Sequence, residues 1–209
     1  MIDEYFATLE DWKKLPAYKL ETRIDSLVGF ALPRVLESMH GLQTRIIVPE
    51  LPLRLGTVNP KLADKSYADR SYKVDFYIRT KCGRNLFIEF KSDSGSRRQK
   101  QDDYLQCASN LKMDQVLGGI LQIAGVSTFK EKYGHLLGKL RQASLIDETK
   151  PLVGPEDIRV MYVQPKHLAG DSDKELILYP KLAAVIRSVF PGGELMERLA
   201  LSLEKWAAD

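Results

Sequence analysis

The sequence predicts an α/β fold, a mixed central sheet flanked by helices, in the order α-β-β-β-α-β. Three observations lead there. Apolar residues recur at helical spacing over 20–41, two apolar stretches at 72–80 and 86–91 alternate with period two, and a helical segment then leads to a later strand, "DIRVMYV". Further helical patterns lie outside this core. The predicted organisation is a single domain over 1–209, with a core at about 18–164, an N-terminal helix over 2–15 and a C-terminal helical extension at about 175–208.

"IDEYFATLEDWKKL" has the pattern of a short amphipathic helix. In the next helix Leu20, Ile24, Leu27, Val28, Ala31, Val35 and Met39 fall near one stripe, Pro33 is expected to kink or divide it, and Gly41 to end it. "TRIIVPELPLRL" is extended, and its two prolines suit an edge or irregular strand. Residues 56–71 are polar and loop-like.

"SGSRRQKQDDYLQCASNLKM" predicts a helix with Ser96 as N-cap and Gln99 three residues on, a capping box. Tyr104, Leu105, Cys107, Ala108 and Leu111 form its expected apolar face. Residues 115–145 are mostly helical with an interruption near Gly125. "KELILYP" is a strand or a helix start, and two closing helices flank "PGG".

With 44% hydrophobic and 28% charged residues the composition is that of a globular protein able to bury a core. A net charge of +3 permits a nucleic-acid partner without requiring one. Cys82 and Cys107 lack CxxC spacing and His40, His135 and His167 lack metal-ligand spacing, which argues against a zinc site or disulfide framework. Free thiols suit a reducing cytoplasm. The N-terminus has no signal-peptide pattern, and no apolar run approaches the roughly 20 residues of a membrane span, so no membrane partner is expected.

The chemistry concentrates in the hairpin. Tyr72, Val74, Phe76 and Ile78 alternate with Lys73, Asp75, Tyr77 and Arg79, and Leu86, Ile88 and Phe90 alternate with Phe87, Glu89 and Lys91. Each strand therefore turns one apolar face to a core, and Asp75, Glu89 and Lys91 share the other. A three-residue loop, Lys81-Cys82-Gly83, puts glycine where a left-handed residue is wanted. That register sets Asp75 opposite Glu89 and Lys73 opposite Lys91.

Opposed carboxylates repel by roughly 3 kcal/mol at about 5 Å and an effective dielectric of about 20. Lys73, Arg79 or Lys91 could offset this as plain ion pairs. A divalent cation would do so better, because clustered carboxylates with water suit Mg²⁺. The tripeptide Glu-x-Lys carries little alone, since Glu148-Thr149-Lys150 repeats it in a polar stretch before a proline. The specific pattern is an Asp on one strand, a turn, and Glu-x-Lys ending a second apolar strand.

"KVD" at 73–75 and "IEFK" at 88–91, with 13 residues between Asp75 and Glu89, resemble the PD-(D/E)xK nuclease superfamily. The resemblance implies a restriction-endonuclease-like core and covers about two thirds of the chain. It implies that Asp75 and Glu89 are metal ligands for Mg²⁺, with Mn²⁺ a possible substitute. Lys91 would activate the attacking water and neutralise charge. A further acid on the first helix is Glu21 by preference, or Asp25 one turn on. Gln101 and Tyr104 correspond loosely to polar residues on the following helix. Val74 stands where the motif has Pro, and the first-helix acid lies about fifty residues upstream of Asp75.

The implied function is metal-dependent phosphodiester hydrolysis, with DNA the implied partner, of a defence, repair or recombination type, and a homodimer as a possible assembly. Arg97, Arg98, Lys100 and Gln101 would hold flanking phosphates. A short basic cluster read alone is more simply a solvated face. The alternative is a non-catalytic nucleic-acid-binding or protein-interaction module that retains the fold. Lys91, on the polar face, is expected to be removable at little cost in stability.

Overall fold

The computed structural model describes residues 1–15, 19–62, 70–92 and 99–208, and for 99–101 the backbone only. Its helices are α1 (Ile2–Trp12), α2 (Glu21–His40), α3 (Leu55–Val58), α4 (Gln99–Ser109), α5 (Met113–Val126), α6 (Lys130–Gln142), α7 (Tyr179–Val189) and α8 (Glu194–Ala208). The strands β1 (Thr44–Arg54), β2 (Ser71–Thr80), β3 (Asn85–Phe90), β4 (Ile158–Gln164) and β5 (Glu175–Leu178) form one five-stranded sheet in the order β1-β2-β3-β4-β5. The sheet is mixed, since β2 and β3 form a hairpin while β4 and β5 pair in parallel, Val163 opposite Ile177 and Gln164 opposite Leu178. The α/β class and the mixed sheet flanked by helices read from the sequence are those observed.

The chain divides into two compact units. One comprises Met1–Thr44, Ile88–Arg98 and Met161–Asp209; the other comprises Arg45–Phe87 and Gln99–Val160. In the first, α7 packs on α2 and α8, and α8 also packs on α1. Phe6 and Leu9 are buried there, and Trp206 Nε1 donates to Glu10. In the second, α3 packs on α4 and α5, and α5 on α6, around Met113, Leu117, Ile120 and Leu140.

Pro33 does not divide its helix: α2 runs unbroken from Glu21 to His40. A mid-helix proline costs about 3 kcal/mol. Here Ile24, Val28, Ala31, Leu32, Val35 and Leu36 are all fully buried on that helix, and their burial outweighs it. Gly41 ends α2 at φ 66°, with its N–H on the Glu37 carbonyl and that of Leu42 on the Leu36 carbonyl.

The expected loop at 56–71 begins instead with the single turn of α3 and a 3₁₀ turn, Pro60–Leu62. Val58, which is buried, anchors α3, an element too short to show helical periodicity. β1 is an edge strand, and its irregularity sits at Glu50, where φ is 53°. On α4, Leu105 and Ala108 are buried as expected, but Cys107 is exposed. Cys107 lies two positions past Leu105, about 200° around the helix and off its buried stripe. The Ser96 cap lies outside the described residues.

At the β2–β3 turn, Thr80 N–H donates to the Arg84 carbonyl at 3.0 Å, closing the three-residue loop 81–83 with Gly83 at φ 90°. This is the loop expected from the sequence. Lys73 on the polar strand face is exposed and Asp75 half-buried, but the rest of that face is not solvated. Tyr77, Arg79, Phe87, Glu89 and Lys91 are all buried, as are Val74, Phe76, Ile78, Leu86, Ile88 and Phe90. Both faces of β3 are covered, as expected for an interior strand of a sheet with helices packed on it.

Candidate functional site

Lys91 is the centre of the charged group in the first unit. It lies one residue beyond β3, yet its N–H still donates to the Val163 carbonyl of β4 at 2.8 Å. Its carbonyl accepts a hydrogen bond from the Tyr179 hydroxyl. Its Nζ lies 2.7 Å from Glu89 Oε1 and 3.9 Å from Glu21 Oε1. Glu89 is 0% exposed and Lys91 3%, so this is an ion pair out of water.

Local structure explains the convergence. Glu89 and Lys91 are two residues apart on an extended chain, so their side chains leave the same face. Glu21 is the first residue of α2, and its carboxylate is about a quarter exposed. An acid at a helix start is favoured by the helix dipole. The two carboxylate oxygens lie no farther apart than the sum of their distances to Lys91 Nζ. Asp25, the other first-helix candidate, engages locally: its Oδ1 accepts from Ser26 N–H at 2.6 Å.

Asp75 lies in β2, in the second unit, and is half-buried. Tyr104 on α4 stacks against Tyr72 with ring centroids 4.3 Å apart, and its hydroxyl donates to the Lys73 carbonyl at 2.9 Å. Lys73 pairs with Glu50 at 2.9 Å. Arg97 and Arg98 lie outside the described residues, as do the side chains of Lys100 and Gln101.

The donor chemistry of Glu21 and Glu89 suits a hard, oxygen-seeking divalent cation such as Mg²⁺. Both carboxylates are brought within 3.9 Å of Lys91 Nζ in the first unit. Among the described residues no three His, Cys, Asp or Glu side chains are gathered closely enough to hold a metal ion.

The second unit contains its own partly buried polar network. Arg79 forms a two-pronged ion pair with Glu156 and donates to Asn85 Oδ1 at 2.9 Å. The Tyr77 hydroxyl donates to the same Asn85 oxygen at 3.0 Å, and Asn85 Nδ2 donates to Glu156 at 3.1 Å. The bonds from Arg79 hold the Glu156 carboxyl below its ordinary range, while burial pushes the Tyr77 phenol well above its own. Arg79 thus belongs to a network that staples β2, β3 and the segment before β4.

Tyr179 was missed from the sequence. "KELILYP" shows only a strand or helix start, and the one available signal is the aromatic just before Pro180, at the first turn of α7. Gln164 was also missed; its Nε2 donates to Asp171 Oδ2 at 2.7 Å and to the Lys166 carbonyl at 2.8 Å, holding the turn after β4.

No protein-family model, curated protein or solved structure matches the chain. Among the described residues no helix is long and apolar enough to cross a membrane.

Proposed function

We propose that the chain is a metal-dependent nuclease that hydrolyses phosphodiester bonds, with DNA as its substrate. The observation that carries this reading is the buried Lys91 ammonium flanked by the carboxylates of Glu89 and Glu21. Burying a charged lysine beside a buried carboxylate is costly, and replacing such pairs by apolar residues is often neutral or stabilising. A pair kept at that cost, at the end of a motif resembling the PD-(D/E)xK nucleases, supports a chemical role.

Glu89 and Glu21 would hold Mg²⁺, and Asp75 joins them in this reading on the sequence motif. When bound, the cation supplies charge neutralisation at the scissile phosphate and a more acidic water. Lys91 is aimed by its bond to Glu89. Its ammonium orients the attacking water and stabilises the negative charge that develops on the phosphoryl oxygens in the transition state. Low solvent exposure strengthens that electrostatic effect. Arg97, Arg98, Lys100 and Gln101 are the proposed backbone-phosphate contacts, with Asp25 and Tyr104 secondary candidates.

A second reading keeps the fold without cleavage, as a nucleic-acid-binding or protein-interaction module. It is favoured by the absence, among the described residues, of a three-ligand metal group. A panel of single- and double-stranded DNA and RNA, incubated with and without Mg²⁺ or Mn²⁺, separates the two. Metal-dependent cleavage lost in Glu89→Gln is the expected result. Binding without cleavage by the wild-type protein across the whole panel would establish the second reading.

A further inference from the structure

We propose that Tyr179 is a positioning residue for Lys91, holding the lysine's main chain so that its ammonium is delivered between Glu89 and Glu21. The role assigned to Lys91 rests on the nuclease reading above; the positioning itself rests on geometry within the first unit.

Lys91 is past the end of β3, where regular strand pairing no longer fixes the chain. Two bonds replace it. The Lys91 N–H is held by the Val163 carbonyl, and the Lys91 carbonyl by the Tyr179 hydroxyl. Together they fix both peptide groups around Lys91 Cα, and so the direction in which the side chain leaves. A lysine stem has many rotamers. Aiming its far end at two carboxylates therefore depends on a fixed root.

Tyr179 is itself held. It is fully buried, and its ring stacks on that of Phe90, with centroids 5.9 Å apart. It opens α7 directly after β5, whose residue Leu178 pairs with Gln164, the neighbour of Val163. The parallel β4–β5 pair thus carries Val163 and sets Tyr179 one residue beyond its end. Phenylalanine would pack as well in such a ring stack, so packing alone does not call for the hydroxyl. A buried hydroxyl needs a partner, and here it donates to the main chain of the charged lysine.

The test uses the full chain without metal or substrate. Trace acetylation with acetic anhydride, read by mass spectrometry, gives the reactivity of Lys91 relative to other lysines. In Tyr179→Phe the Lys91 rate should rise about tenfold, the scale set by one lost hydrogen bond. Ile186→Val, a buried change on the same helix, controls for general loosening and should leave Lys91 protected. Unchanged Lys91 labelling in a folded Tyr179→Phe, or an equal rise in Ile186→Val, overturns the proposal.

The wild-type protein gives a second measurement that needs no variant. The Tyr179 hydroxyl proton should exchange slowly enough to appear in the NMR spectrum; exchange too fast to observe means the bond is not made and also overturns the proposal. Neither readout requires cleavage, so an inactive wild-type protein would refute the nuclease reading and leave this inference standing. In an active protein, Tyr179→Phe should lower kcat and keep KM, because the lysine acts in the transition state.

Discussion

Lys91 Nζ and Glu89 Oε1 are 2.7 Å apart, at the end of an interior strand where both side chains are withdrawn from water. Such a pair couples stability to any chemistry the lysine performs. Removing one partner leaves the other as an uncompensated buried charge.

Lys91→Ala should therefore destabilise the protein by about 3–5 kcal/mol, the scale of a broken buried pair. The polar strand face suggests a nearly neutral change; burial reverses that expectation. The double variant Glu89→Leu/Lys91→Met should recover most of the loss, since both charges are gone. Urea unfolding of the wild type, the single and the double variant checks this, and a single variant within about 0.5 kcal/mol of wild type, as at an ordinary surface site, would refute it.

If Glu89 and Glu21 hold a divalent cation, with Asp75 joining them on the sequence motif, saturating Mg²⁺ raises the melting temperature of the wild-type protein. Binding at a hundred times Kd is worth about 2.7 kcal/mol. Glu89→Gln and Asp75→Ala should each abolish that increment and stop cleavage. Loss of the electrostatic contribution of Lys91 should slow turnover by about 10²–10³-fold, so a less disruptive variant, Lys91→Gln, gives the informative rate comparison. Melts and cleavage rates across a Mg²⁺ series decide; an identical Mg²⁺ increment in all three proteins would remove Glu89 and Asp75 from the site.

The Arg79–Glu156 pair predicts an acid limb. Bonding to Arg79 lowers the Glu156 carboxyl below its unfolded value, with Asn85 adding to the effect and burial opposing it. Its contribution is therefore complete above the ordinary carboxylate range and is lost as pH falls through the depressed value. Glu156 is only partly buried, so solvent discounts the effect. Glu156→Gln should flatten the acid limb of the stability curve, as measured by urea unfolding over a series of decreasing pH. An equally steep limb in the variant would place the acid sensitivity elsewhere.

Two adjacent glycines of α5 should respond oppositely to alanine. A Cβ on Gly119 would lie 2.5 Å from Thr57 Oγ1 and 3.2 Å from Thr57 Cβ, whereas one on Gly118 meets nothing within 4 Å. Gly119→Ala should cost about 1–3 kcal/mol by overpacking. Gly118→Ala should stabilise by up to about 1 kcal/mol through helix propensity. Thermal melts of the two variants suffice, and a stabilised Gly119→Ala would show that Thr57 moves aside freely.

The sequence by itself determined the α/β class, the hairpin and its three-residue loop. Period-two and helical spacing, Gly41 and Gly83 are local signals, and local backbone chemistry obeys them. It also marked Glu89 and Lys91 as an unusual charged pair on an apolar strand. Tertiary structure alone decided that the pair is buried, because alternation along one strand does not reveal whether its second face meets water or helices. It decided that Pro33 stays inside a continuous helix, since six buried side chains outweigh a local penalty. It brought the Tyr179 hydroxyl to the Lys91 carbonyl from the far side of β4, and it set Glu21, until then a candidate only through the resemblance, 3.9 Å from Lys91 Nζ. Contacts at such separations are set by how elements pack, and nothing in the residues flanking either partner encodes the other.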